Sequence, residues 1–165
     1  MSSIYQFDIE VTAKEVDRNG HVNNVVYIQW MQDAAISHAR ASGCTLASKA
    51  VGATWVVRTH HIEYLSPAFA GEKITMLTWP SNFQRVRSLR KYKFLRASDR
   101  VVIARAETDW VFVNAKTGKP QSIPGEVRHR LRLFDSLACF ANVCMAWWLK
   151  QTRRFFDYQL KTFFN

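Results

Sequence analysis

The sequence has few cysteines and no long apolar run. Its 3 cysteines, among 165 residues, are Cys44, Cys139 and Cys144. They form no Cys-x-x-Cys pair, so neither a disulfide framework nor a zinc site is indicated, and we expect small buried side chains. No stretch approaches the roughly eighteen apolar residues of a membrane-spanning helix, and the opening residues lack the regions of a signal peptide. These absences predict a cytoplasmic protein without a metal site.

Acidic residues are also scarce. The chain has 13 Asp and Glu against 23 Lys and Arg, which gives a net charge of +10. Such a surplus favours a polyanionic partner: nucleic acid, an acidic membrane surface, an acidic carrier protein, or a small molecule bearing several phosphates. Composition does not choose among these partners. The apolar content of 48% excludes a disordered chain, and the length predicts one compact domain.

The order of hydrophobic patterns predicts one strand, one helix and then four strands. Residues 4–13 alternate as a strand does, and from Val25 to Ser42 apolar residues recur at helical spacing up to Gly43, where a helix would end. Strand-like runs follow at residues 54–65, 72–79, 88–97 and 101–114, with turns at 66–67, 79–82 and 98–99. This order predicts an α+β fold in which an antiparallel sheet curls round one long central helix.

The segment before this helix concentrates polar side chains. Asp17, Asn19, His21, Asn23 and Asn24 lie within eight positions. The first backbone amides of a helix lack internal partners and carry partial positive charge, so they attract carbonyl oxygens and anions. With Asn23 or Asn24 as the N-cap, the amides of the first turn would face Asp17 and His21. An acid facing an oxyanion hole suits acyl transfer, although the same residues also make an ordinary turn and helix cap.

A longer stretch around this cluster carries a family resemblance. VDRNGHVNNVVYIQWMQDA, residues 16–34, resembles the active-site segment of hotdog-fold thioesterases of the 4-hydroxybenzoyl-CoA thioesterase type. The matching positions are Asp17, Gly20, Tyr27 and Trp30. HVNNVVYIQW is also similar to the catalytic half of plant acyl-carrier-protein thioesterases, and IEYLSPAFAGEKI and TGKPQSIP resemble later segments of the same superfamily. The likeness covers residues 3–130.

The resemblance implies a role for each residue of the cluster. Asp17 would be the nucleophile or general base, and the amide around Asn24 the main oxyanion donor. Asn19 and His21 would position the water or the acid. Gln32 and Pro67 stand where relatives often carry acidic residues. These two departures favour a simpler mechanism centred on the aspartate over the full plant-type network.

The resemblance also implies a substrate and an assembly. The substrate would be an acyl-CoA, hydrolysed to a free acid and CoA with no separate cofactor, and Tyr27 and Trp30 would line its pocket. A homodimer or homotetramer is expected, because the family's sites lie between two chains. An acyl-carrier-protein thioesterase, a hydratase and a non-enzymatic hotdog protein that binds acyl-CoA or nucleic acid stay open. The spacing from Asp17 to His21 is one residue shorter than in the hydratase motif.

A basic run, RVRSLRKYKFLR, allows three interpretations. Its cations alternate with aromatic residues, as in a groove for single-stranded nucleic acid. They could equally be a solvated edge strand that resists aggregation. Within the thioesterase hypothesis they would bind the phosphates of coenzyme A. The candidates for that role are Arg85, Arg87, Arg90 and Lys91.

The remaining expectations concern histidines and the end of the chain. His60 and His61 are neighbours on a strand, so they point to opposite faces and cannot ligate one metal together. His38 on the helix is expected to be a packed or capping residue and not a catalyst. The hotdog domain is expected to span residues 1–133, and residues 134–165 to form a helical extension. The extension would pack on the sheet or on a neighbouring subunit, with binding to a membrane surface as the less favoured alternative, and its apolar part is too short to span a bilayer.

Overall fold

The computed structural model describes residues 4–132 and contains five strands and three α-helices in that range. In chain order the elements are β1 (Tyr5–Glu10), a 3-10 turn (Ala13–Glu15), α1 (Asn24–Ala41), α2 (Cys44–Ala50), β2 (Ala53–Tyr64), β3 (Lys73–Phe83), β4 (Arg87–Arg96), β5 (Val102–Asn114) and α3 (Gly125–Arg132). The predicted helical extension at residues 134–165 lies outside the described part of the chain.

The five strands form one antiparallel sheet in the order β1-β3-β4-β5-β2. Register shifts occur in three of the strand pairs, at Val57/Thr59, Pro80/Asn82 and Phe94/Leu95. Such bulges bend a sheet and increase its twist. The predicted α+β fold, a long helix on a curved antiparallel sheet, is confirmed.

The main core lies between the first half of α1 and the sheet. Tyr27, Trp30, Met31 and Ala34 recur every three or four residues and face the sheet, as helical periodicity requires. They pack with sheet residues that include Met76, Tyr92, Phe94 and Ile103, and Phe94 has no exposed surface. This packing fixes the position of the start of α1 relative to the strands.

A second apolar cluster lies at the other end of α1. Gly43, with φ +74°, ends the helix in the left-handed conformation that favours glycine. Cys44 then begins α2 and is buried, as expected for this cysteine. Val127 and Leu131 of α3 pack on the same cluster as Phe112 of β5. The sequence patterns predicted neither α2 nor α3.

The turn predicted at residues 79–82 is wrong, because β3 continues to Phe83. Within the described residues, β3 pairs with β1 only from Lys73 to Thr78, so Pro80 lies beyond the end of that ladder. Proline lacks an N–H and is tolerated at such an unpaired edge, next to the bulge that follows it. The reversal occurs instead at Gln84, whose N–H donates to the carbonyl of Arg87.

Candidate active site

The loop from Asp17 to His21 is a closed turn between two paired valines. Val16 and Val22 form an isolated antiparallel bridge, and the N–H of Asp17 donates to the carbonyl of His21 at 2.9 Å. The N–H of Gly20 donates to the carbonyl of Asp17 at 3.1 Å. Gly20 has φ +81°, which a residue with a side chain adopts only at a cost. The turn therefore holds Asp17 and His21 side by side at the base of the loop.

The carboxylate of Asp17 is held by residues of this turn. Its Oδ1 accepts a hydrogen bond from the N–H of Asn19 at 2.8 Å, and its Oδ2 lies 3.5 Å from the Asn19 amide nitrogen. The Nδ1 of His21 lies 3.9 Å from Oδ1, which is ion-pair distance but too long for a hydrogen bond. The side chain of Asp17 remains 25% exposed. The structure thus brings Asp17, Asn19 and His21 together as expected.

Asn23 is the N-cap of α1, and it occupies two of the first amides. Its Oδ1 accepts from the N–H of Val25 at 2.9 Å, and its backbone carbonyl accepts from the N–H of Val26 at 2.9 Å. Among residues 4–132, no acceptor takes the N–H of Asn24. The prediction that several amides of the first turn are free is therefore wrong. The first turn leaves the N–H of Asn24 for an external oxygen.

Glu15 joins the loop that carries Asp17 to the helix. Its Oε2 accepts from the N–H of Thr12 at 2.6 Å and from the Thr12 hydroxyl at 3.1 Å. Its Oε1 accepts from the indole N–H of Trp30 at 3.1 Å, and its carbonyl accepts from the N–H of Asn23 at 2.9 Å. Glu15 was not among the predicted site residues. The Thr-x-x-Glu spacing of a capping box was the available signal.

Tyr27 and Trp30 lie in the core of the described chain. Their rings meet edge to face, with centroids 5.2 Å apart, and Tyr27 also packs on Phe94 and Tyr64. Burial raises the pKa of Tyr27 to about 12, and the neighbouring Tyr64 adds to this effect. The hydroxyl of Tyr64 donates to the carbonyl of Asn24 at 3.0 Å. Tyr27 and Trp30 thus support the start of the helix. Their role in lining a substrate pocket stays a prediction.

The four basic residues proposed for coenzyme A do not form one cluster. Arg87 forms an ion pair with Asp109, and Lys91 forms one with Glu107 at 3.1 Å, both on the outer face of the sheet. Arg85 is exposed in the loop before β4. The assignment of Arg90 to a surface phosphate site is wrong: its side chain is 5% exposed and lies on the helix-facing side of β4. Strand alternation separates it from Arg87 and Lys91.

The histidines behave as the alternation of a strand predicts. His60 is half-buried, with Nδ1 2.8 Å from the hydroxyl of Thr108, whereas His61 is exposed. His38 is fully buried on α1, as expected for a packed residue. In the described part of the chain, no group of three or more His, Cys, Asp or Glu side chains could hold a metal ion. Each helix found within residues 4–132 is too short or too polar to span a bilayer.

Comparison with known proteins finds a matching family and several similar chains. The model of the thioesterase-like superfamily matches residues 11–131. The chain is 29% identical over 127 residues to an L-carnitine dehydrogenase/betainyl-CoA thioesterase of Rhizobium meliloti (strain 1021), a match that covers 76% of this chain and 25% of that protein. It is 26% identical over 138 residues to the chloroplastic oleoyl-acyl carrier protein thioesterase 2 of Arabidopsis thaliana, covering 79% of this chain and 37% of that protein.

A similar solved structure is that of a 1,4-dihydroxy-2-naphthoyl-CoA thioesterase from Synechocystis. The TM-score is 0.71 at 17% identity, and the match covers 80% of this chain and 98% of that one. This likeness confirms the predicted hotdog fold. The chain spans about a quarter of the length of the Rhizobium protein and little more than a third of the Arabidopsis protein.

Proposed function

Because the chain belongs to the thioesterase-like superfamily, we propose that it hydrolyses acyl thioesters with Asp17 as the reacting carboxylate. One observation carries this proposal. A partly exposed carboxylate, oriented by Asn19, lies in the turn directly before a helix whose N-cap leaves the Asn24 N–H for an external oxygen. Acyl transfer needs these two groups: a base or nucleophile, and a donor where negative charge develops.

Two routes use the same groups. In the first, Asp17 takes a proton from a water that adds to the thioester carbonyl, and the Asn24 N–H donates to the resulting oxyanion. The carbon–sulfur bond then breaks, and the thiolate receives the proton. In the second, Asp17 itself adds to the carbonyl and expels the thiolate, and water then hydrolyses the mixed anhydride. The N–H of Asn19 aims the carboxylate in either route, and His21 is close enough to orient the water.

We propose an acyl-CoA as the substrate, hydrolysed to a free acid and CoA without a separate cofactor. The names of two of the three similar proteins specify a CoA thioester, and the net charge of +10 suits a ligand with several phosphates. Arg85, Arg87 and Lys91 are the remaining candidates for those phosphates. The Arabidopsis relative favours an acyl-carrier-protein substrate as the second candidate. The same acyl group offered on CoA and on acyl carrier protein would rank the two.

We further propose that the active protein is a homodimer or homotetramer. The support is the position of β2, a strand of 12 residues at the edge of the sheet that pairs only with β5 among the described strands. A long unpaired edge is a template for pairing with a second chain. The non-enzymatic alternative is that the protein binds acyl-CoA or nucleic acid without hydrolysing a thioester. Measuring the release of CoA together with the binding of acyl-CoA and of nucleic acid tests it.

Asp17→Asn tests the proposed mechanism. The amide keeps the shape of the side chain but cannot act as a base or nucleophile, so kcat for acyl-CoA hydrolysis should fall by at least about a hundredfold. Release of free CoA from a panel of acyl-CoAs, followed with a thiol reagent, measures the effect. Asp33→Asn is the matched control, because Asp33 lies on α1 and, among the described residues, its side chain only accepts a hydrogen bond from Gln29. An Asp17→Asn protein with near-normal turnover would remove the assignment.

A further inference from the structure

Arg90 is a buried cation without an acidic partner in the described chain. Its Nη1 donates to the Nδ1 of His38 at 3.1 Å and to the hydroxyl of Thr78 at 3.2 Å. Among residues 4–132, none of the ion pairs involves Arg90. Both of its partners are neutral groups. A buried charge is costly unless an opposite charge or full hydrogen bonding compensates it.

His38 keeps the guanidinium in place without adding a second charge. Arg90 can only donate, so the Nδ1 of His38 must accept and carries no proton. Burial, with the nearby positive charge of Arg90, lowers the pKa of His38 to about 3. Thr78 is fully buried on β3, directly across from Tyr92. The guanidinium is therefore held on one side, and its remaining N–H groups have no acceptor among the described residues.

Arg90 lines a cavity of about 350 Å³ at the C-terminal half of α1. The walls come from α1, α2, α3 and the sheet, and they are mainly apolar, with Ala35, Ala39, Trp55, Trp110 and Leu131 among them. Three basic residues also line it, Arg90, Arg40 and Lys49, whereas none of its lining residues in the described chain is acidic. A volume of this size holds a small organic ligand.

This cavity is separate from the Asp17 site. Ala35 lies eleven residues along α1 from Asn24, which corresponds to roughly 16 Å at the rise of an α-helix. The buried side chains of Tyr27, Trp30 and Met31 occupy the first half of the helix between the two. A ligand in the cavity would therefore be recognised by the walls and by Arg90, not by the oxyanion donor.

We propose that this cavity binds a carboxylate attached to an apolar body, with Arg90 as the residue that pairs with the carboxylate. The planar guanidinium matches a carboxylate with two parallel hydrogen bonds, and burial strengthens such charged bonds. The apolar walls accept the body of the ligand, and Arg40 and Lys49 at the helix ends attract its charge. The inference goes beyond thioester hydrolysis and does not require it.

Binding of octanoate, measured by calorimetry and compared with octanamide, tests the site. The two probes have the same body and differ in charge, so octanoate should bind at least about tenfold more tightly. Arg90→Met should abolish this preference. Ala39→Phe, which fills the cavity and leaves Arg90 in place, should abolish binding of both probes even if Arg90→Met does not fold. Ala50→Phe, the same change at an exposed position of α2, should change nothing.

Equal affinity for the two probes, or unchanged octanoate binding by Ala39→Phe, would overturn the proposal. Asp17→Asn should bind octanoate normally, so a failure of the proposed hydrolysis leaves the binding result intact. A second comparison identifies the source of the carboxylate. If it is the far end of the acyl group, the chain must span the roughly 16 Å between the two sites, so kcat/KM for hexadecanedioyl-CoA should exceed that for palmitoyl-CoA, and Arg90→Met should reverse this order. If it is a separate acid, the two thioesters should react alike and octanoate should change their hydrolysis without competing.

Discussion

Asn23→Asp is expected to separate the stability of the helix start from its proposed role in catalysis. Oδ1 of Asn23 accepts a hydrogen bond from the N–H of Val25 at 2.9 Å, and a carboxylate oxygen can keep this bond. A negative charge at a helix N-terminus is also favourable, by about 0.3–1 kcal/mol. The free energy of unfolding should therefore be unchanged or slightly higher.

Turnover should fall in the same variant. The new carboxylate would lie next to the Asn24 N–H, where the oxyanion is proposed to form, and like charges oppose each other there. At roughly 6 Å and an effective dielectric constant near 20, Coulomb's law gives a repulsion of about 3 kcal/mol. Solvent at this exposed position reduces that value, so we expect kcat to fall about ten- to a hundredfold.

Asn23→Ala is the opposite control. It removes the cap and should lower the free energy of unfolding by about 1 kcal/mol, while the Asn24 N–H stays in place and kcat changes little. Urea unfolding and steady-state release of CoA measure the two quantities on both variants. If Asn23→Asp keeps wild-type turnover, or if the two variants lose stability and turnover in parallel, the oxyanion does not form at this helix start.

Two further predictions concern titration and charge. The free energy of unfolding should fall as the pH drops from about 6.5 towards 3, because unfolded His38 takes up a proton in this range and folded His38 does not. The slope from this group is at most about 1.4 kcal/mol per pH unit, and a His38→Asn protein with the same slope in urea titrations would contradict it. Neutralising Arg85 and Lys91 to glutamine should raise KM for acyl-CoA severalfold and leave the acyl-pantetheine analogue unaffected. Lys116→Gln is the control. An equal rise in KM for both substrates would mean that Arg85 and Lys91 support the fold and do not bind the nucleotide.

The parts of the fold that the sequence predicted are those with local signals. Helix α1 has apolar residues at regular spacing, an asparagine cap before it and a glycine after it, and its bounds differ from the prediction by one residue at each end. Asp17, Asn19 and His21 are close because a single turn joins them. A short loop leaves little freedom for such a group, so its geometry follows from the sequence.

The errors concern contacts between distant segments. The local sequence at Pro80 predicts a turn, because nothing in it shows that the β1 ladder ends beside Thr78. The Thr-x-x-Glu spacing is local, but the contact of Glu15 with Trp30, fifteen residues away, has no local signal. The alternation of the basic run did contain a usable signal. Arg90 lies at an even-numbered position, on the same face of the strand as the buried Tyr92 and Phe94. Arg87 and Lys91 lie on the other face.

The cap at Asn23 also has a consequence for product release. A helix start with several free amides holds a carboxylate by two or more hydrogen bonds, as it holds phosphate or sulfate. In this chain the cap takes the amides of Val25 and Val26 and leaves that of Asn24. One donor can stabilise the single oxyanion of a tetrahedral intermediate. It cannot hydrogen-bond to both oxygens of the product acid at once. In the proposed mechanism, the first turn therefore binds the product acid by one hydrogen bond at most, which favours its release.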